Sequence, residues 1–153
     1  MKFEYLADHQ ELMPILADWY FKEWGYLKEG HTIDLEIKRL QEYLNKNEIP
    51  LILLAIEGDE LLGAAQLKYR EMSIYPDKEH WLGGVFVSDK HRGKGVAKLL
   101  IEELLLVAQQ MGVHKLFLQT EQLDGGLYAR MGWMPLEQVN YHDLDVLVME
   151  RNI

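Results

Sequence analysis

The stretch Val85-Phe86-Val87-Ser88-Asp89-Lys90-His91-Arg92-Gly93-Lys94-Gly95-Val96-Ala97-Lys98 joins a short apolar run to a basic, glycine-punctuated loop that opens into a long apolar segment. These residue types suit the binding of a pyrophosphate. The first turn of a helix leaves main-chain N–H groups without intrahelical acceptors, and the aligned peptide dipoles put partial positive charge at the same end. Gly93 and Gly95 remove side chains that would hold an anion off the main chain, while Arg92 and Lys94 add mobile positive charge. Asp89 opposes this slightly. As a bare glycine pattern, the same residues fit equally a tight strand-to-helix turn with solvated cations.

The spacing excludes two common phosphate loops. No Gly-Lys-Ser/Thr group follows a glycine at Walker spacing, and there is no Gly-x-Gly-x-x-Gly run. Instead Arg92-Gly93-Lys94-Gly95-Val96-Ala97 resembles the Arg/Gln-x-x-Gly-x-Gly/Ala motif of the GNAT superfamily of acetyl-coenzyme A-dependent N-acetyltransferases, with Arg92, Gly95 and Ala97 on its defining positions. Leu127-Tyr128-Ala129-Arg130-Met131-Gly132-Trp133 looks like a second segment of that family, Leu/Phe-Tyr-x-Lys/Arg-x-Gly-Phe. The resemblance is specific over about residues 80–135.

The resemblance implies acetyl-coenzyme A as cosubstrate and an amine as acceptor; the scattered histidines lead to the expectation of no metal. Cofactor-binding groups would be the main chain of Val85, Phe86 and Val87, which takes the pantetheine arm and polarises the acetyl carbonyl. The loop and helix start, Arg92, Gly93, Lys94, Gly95, Val96, Ala97 and Lys98, would hold the diphosphate. Acetyl transfer further needs a neutral amine and a proton for the departing thiolate. Tyr128 is the acid that the resemblance implies, and a phenol suits the task because it stays protonated at neutral pH. Without the flanking motif Tyr128 reads better as a packed core tyrosine. The base is open among Glu71, Glu79, His80, Glu121 and water. Glu121 stands where the family often has Asn, and Asp89 where it usually has Pro.

The elements that must position these residues follow from periodicity. Residues 2–7 read as a strand, Asp8 as a cap, and His9 to Trp24 as a helix with Leu12, Ile15, Leu16, Trp19 and Tyr20 on one stripe. Pro14 requires that helix to start close by. Thr32 caps a second helix carrying Ile33, Ile37, Leu40 and Leu44. Leu51 to Glu57 is a continuous apolar run suited to a strand covered on both faces, and Leu61 to Arg70 returns as its hairpin partner. His80 to Val87 is a strand whose Gly83-Gly84 pair marks a bulge or a close backbone approach.

A helix from about Gly95 to Met111 and a strand Lys115 to Thr120 complete a βαβ unit over 80–120. A short helix ends at Gly132. Trp133 to Gln138 and Asp143 to Arg151 form a last antiparallel pair across 139–142. The expected fold is α/β in the α+β sense: a GNAT-like mixed, mostly antiparallel sheet flanked by helices, in a single domain 1–153.

Composition bounds the function. The 153 residues carry a net charge of −9, no cysteine, and six histidines with no pair at metal-ligand spacing. Thiolate nucleophiles and disulfides are excluded, and the acidic balance argues against a nucleic-acid partner. No apolar run approaches bilayer-spanning length and the amino terminus lacks a secretory profile, so a cytoplasmic protein without membrane contact is expected. A small-molecule or peptide amine is electrostatically welcome, and aminoglycoside-like antibiotics, protein amino termini and lysine side chains all remain open. A homodimer is left open too. Trp19, Tyr20, Trp24 and Tyr26 fit either core or an aromatic wall for the amine. The competing function is a catalytically silent coenzyme A-binding module.

Overall fold

The computed structural model describes Met1–Ile153. Seven strands form one sheet in the order β1-β2-β3-β4-β5-β7-β6, with β1 Lys2–Tyr5, β2 Leu51–Glu57, β3 Glu60–Tyr69, β4 His80–Val87, β5 Lys115–Thr120, β6 Met134–Tyr141 and β7 Leu144–Asn152. Only β4 and β5 pair in parallel. The α-helices are α1 Met13–Trp24, α2 Ile33–Leu40, α3 Val96–Gln110 and α4 Gly126–Arg130. This is the mixed, mostly antiparallel sheet with flanking helices expected from the sequence.

The continuous apolar run of β2 exists because both of its faces are covered. Leu51, Leu53 and Ala55 join the core beneath α3, while Ile52, Leu54 and Ile56 join the core beneath α1 and α2. On α3 the buried face includes Leu100, Ile101, Leu104 and Ala108, and Leu99 and Leu106 are exposed. Leu100 has no accessible surface, so truncating it to Ala would cost about 2–5 kcal/mol.

Three local expectations are corrected. The first helix starts at Met13, after 3-10 turns at Leu6–Asp8 and Gln10–Leu12, because Pro14 is tolerated only within the first turn. Asp8 therefore caps nothing and pairs with Lys46 Nζ at 3.0 Å. The last hairpin turns over His142 and Asp143 alone, both with left-handed backbone (φ 51° and 63°), so its strands run further than the sequence suggests. Thr32 does cap α2, its Oγ1 accepting from the Leu35 N–H at 3.2 Å.

The expected irregularity at Gly83-Gly84 is present. The β3–β4 register shifts between Ala64 and Gln66, and Gly84 has φ +55°. β4 meets β5 at a single register pair, Trp81↔Phe117. Beyond it the strands diverge, and the sheet opens into a cleft.

Candidate active site

The cleft between β4 and β5 has a volume of about 580 Å³. Gly83, Gly84 and Val85 wall it from β4, Ala97 from the start of α3, and Tyr128 from α4. The kink that opens it is held from two sides. Tyr20 Oη donates to the Gly84 carbonyl at 2.6 Å, and a Cβ on Gly84 would lie 2.5 Å from the Gln66 side chain. Only glycine combines that left-handed backbone with that approach.

At the mouth of α3 the main chain offers donors. Gly95, at the N-cap, has φ +79°, no side-chain cap is made, and the first turn carries no acidic residue. The first N–H to find a helical acceptor is that of Leu99, on Gly95 O at 3.1 Å. From Arg92 through Lys98, main-chain N–H groups have no acceptor within the protein. At Gly93 and Gly95 a Cβ would meet no protein atom within 4 Å. These glycines serve the left-handed backbone and leave the outer side of the loop open to a ligand.

The side chains nearby divide sharply. Arg92 is not a mobile charge: its Nε donates to the Val87 carbonyl at 2.9 Å, an Nη pairs with Asp89 at 2.9 Å, and the guanidinium lies over the Phe86 ring. It fastens the loop to the end of β4. Lys94 and Lys98 are exposed, the latter 4.0 Å from Glu102. Val96 is buried in the core beneath α3, as is Val87, whereas Phe86 packs on Trp19 and Trp24 across the sheet. Of Val85, Phe86 and Val87, only Val85 lines the cleft.

Tyr128 is half-buried and packs edge-on against Trp133 at 6.2 Å. Burial, followed by the negative charge of Glu71, pushes its pKa up to about 12, so the phenol remains a proton donor. Glu71 and Glu121 also line the cleft. Glu79 and His80 do not: His80 lies against Tyr69 and 3.6 Å from Glu79.

Sequence reasoning missed the groups behind the cleft. A second cavity of about 380 Å³ continues past Trp24 and Arg39 toward Tyr141 and His142. Its floor holds a buried cluster in which Glu36 accepts from Arg39 at 2.5 Å and lies 2.6 Å from His31 Nε2. Burial alone would raise the Glu36 pKa, but Arg39 and His31 together hold it below the usual carboxylate range. Of the four aromatics, Trp24 lines both cavities, Tyr20 is buried and borders the second, Trp19 is partly buried, and Tyr26 is 70% exposed. No cluster of three or more His, Asp or Glu is placed to hold a metal ion, and no helix is long and apolar enough to cross a membrane.

Comparison with known proteins bears on the fold and the family. An uncharacterized N-acetyltransferase of Chlorobaculum tepidum is 24% identical over 114 residues, covering 74% of this chain and 66% of that protein. The chain thus spans about two thirds of that relative. An aminoglycoside 6'-N-acetyltransferase solved with coenzyme A superposes with a TM-score of 0.78 at 15% identity, over 99% of this chain and 97% of that one. The ribosomal-protein-alanine N-acetyltransferase of Brucella melitensis superposes with a TM-score of 0.74 at 19% identity over 100% of both chains. At these identities the superpositions establish the fold. The model of the acetyltransferase (GNAT) family matches residues 10–133, which include β2 to β5, α3 and α4, and the chain belongs to that family.

Proposed function

We propose that the chain moves the acetyl group of acetyl-coenzyme A to a primary amine by direct attack, both substrates being held in the β4–β5 cleft. The observation that carries this reading is the row of unpartnered N–H groups from Arg92 to Lys98, which passes beside the cleft at Ala97. Such a row, with helix-dipole charge and no acidic residue in its first turn, fits a diphosphate. Bound there, acetyl-coenzyme A supplies the activated acetyl thioester.

The chain's own residues do the rest. Main-chain groups of Val85 to Val87, on the strand edge that β5 abandons, orient the acyl arm and polarise its carbonyl. Tyr128, kept neutral, gives its proton to the leaving sulfur. Glu23 and Glu121 line the cleft without ion-pair partners, whereas Glu71 is paired with Lys68 and Arg39 with Glu36. The uncompensated charge is negative, which draws a cationic amine. The same reading takes the chain as a single cytoplasmic domain acting on a small-molecule or peptide amine.

Calorimetry with coenzyme A and thiol release from acetyl-coenzyme A test this together. The acceptor panel includes an aminoglycoside and an alanine-terminated peptide, the substrates that the solved neighbours' names give for those proteins. Heat of binding with thiol release is expected. Binding without turnover across the panel would support the silent module instead, and no heat even at millimolar coenzyme would end the reading.

A further inference from the structure

β4 carries no acid at its kink, yet a carboxylate is there. Glu71, in the β3–β4 connection, folds its side chain back over the strand: a Cβ on Gly83 would lie 2.9 Å from Glu71 Oε1 and 2.9 Å from Lys68 Cδ. The missing side chain of Gly83 is the space that the Glu71–Lys68 pair fills. Lys68 Nζ donates to Glu71 Oε1 at 3.3 Å, and the two side chains are 18% and 16% exposed. Lys68 engages Oε1 and no protein donor reaches Oε2, so one carboxylate oxygen is free. Both residues line the cleft with Tyr128.

The geometry points to Glu71 as the group that takes the proton from the incoming amine, delivered into the cleft through the gap left by Gly83. This assignment rests on the acetyltransferase reading above. Glu71 accepts one proton of the incoming ammonium and later releases it to solvent. Tyr128 gives its proton to sulfur as the N–C bond forms and the C–S bond breaks, then takes back the surplus proton of the new amide nitrogen. Protons balance, with one released per turnover. Glu71 and Tyr128 are also coupled. The charge of Glu71 raises the Tyr128 pKa, so neutralising Glu71 makes the phenol a stronger acid when the leaving group needs it.

Titratable groups lining the cleft with Glu71 are Lys68 on β3, Tyr128 on α4, Glu121 after β5 and, from the helices across the cleft, Glu23 and Arg39. The test compares Glu71→Gln with wild type, using the best basic amine of the panel and hydroxylamine, whose nitrogen is unprotonated at neutral pH. Glu71→Gln is expected to lower kcat about a hundredfold with the basic amine, far less with hydroxylamine, and to leave coenzyme A affinity unchanged. Gly83→Ala keeps the carboxylate but displaces it, and should lower kcat by a smaller factor with the same selectivity.

A readout independent of turnover is the ¹³Cζ resonance of Tyr128 in the coenzyme-free protein, which should begin to titrate at lower pH in Glu71→Gln. Equal losses with both acceptors, or unchanged kcat, would overturn the assignment, as would an unmoved Tyr128 titration. A wild type that binds no coenzyme A would instead sink the acetyltransferase reading, whereas binding with turnover indifferent to Glu71 sinks only this one.

Discussion

Tyr20 Oη and the main-chain oxygen of Gly84 lie 2.6 Å apart, a hydrogen bond that ties the buried face of α1 to the left-handed kink of β4. Burial pushes the Tyr20 pKa up, so the phenol is a neutral donor throughout the working pH range. One support of the open cleft is thus a carbonyl held by α1, beside the Gln66 contact at Gly84.

Tyr20→Phe removes that tether and little volume. A carbonyl left unpaired in a partly buried strand costs about 1–3 kcal/mol, read as a lower urea midpoint. The Michaelis constant for acetyl-coenzyme A should rise as the kink relaxes toward β5. An unchanged midpoint with an unchanged constant would show that Gln66 alone fixes the bend.

Glu36 is the one acidic side chain in the core, 3% exposed and bonded to Arg39 and His31. Burial opposes its charge, and Arg39 and His31 together overcome burial, so its folded pKa lies below the ordinary 4.5. A depressed carboxylate pKa contributes stability that is complete above the unfolded value and is lost as pH falls through the folded one. Glu36→Gln should therefore flatten the acid side of the stability profile. Near neutrality it should cost about 3 kcal/mol, toward the low end for a broken buried pair, because the Arg39 side chain is 34% exposed. Equal acid sensitivity in the two proteins would show that other carboxylates dominate.

What the sequence made legible was local. The apolar run of β2, the cap at Thr32 and the start of α3 after its glycine turn each record their structure within a few residues, and each element appears as read. What it hid was tertiary. Glu71, Glu79, His80 and Glu121 are equivalent as proton acceptors in the chain, and only the fold turns Glu71 and Glu121 into the cleft and Glu79 and His80 away from it. Arg92 reads as a free cation, because nothing in the motif shows that Val87 O will be its partner. The turn at His142–Asp143 lacks the glycine that usually announces a left-handed pair.

Tyr128→Phe should lower kcat about a hundredfold or more and leave coenzyme A affinity nearly intact. A pKa raised from 10.0 to about 12 also fixes a sign. A group held protonated in the fold contributes stability that is fully present below the unfolded value and is lost as pH rises through the folded one. Urea midpoints at about pH 9 and about pH 11 should therefore differ less in Tyr128→Phe than in wild type. Unchanged turnover would remove Tyr128 as the acid whatever its titration.

Gly95 separates the demand of the backbone from the demand of the ligand. Its φ of +79° penalises any side chain, but a Cβ there would touch no protein atom within 4 Å. Gly95→Asn and Gly95→Glu should both cost about 1 kcal/mol, the asparagine somewhat less because it tolerates the left-handed region. Their effects on coenzyme A should diverge. The glutamate sets a negative charge and a longer side chain beside the unpartnered N–H groups, repelling a diphosphate that the neutral asparagine only crowds. Calorimetry should show Gly95→Glu losing at least about tenfold more affinity than Gly95→Asn, equivalent to about 1.4 kcal/mol. Equal affinities at equal stability would mean that the diphosphate lies elsewhere than against the start of α3.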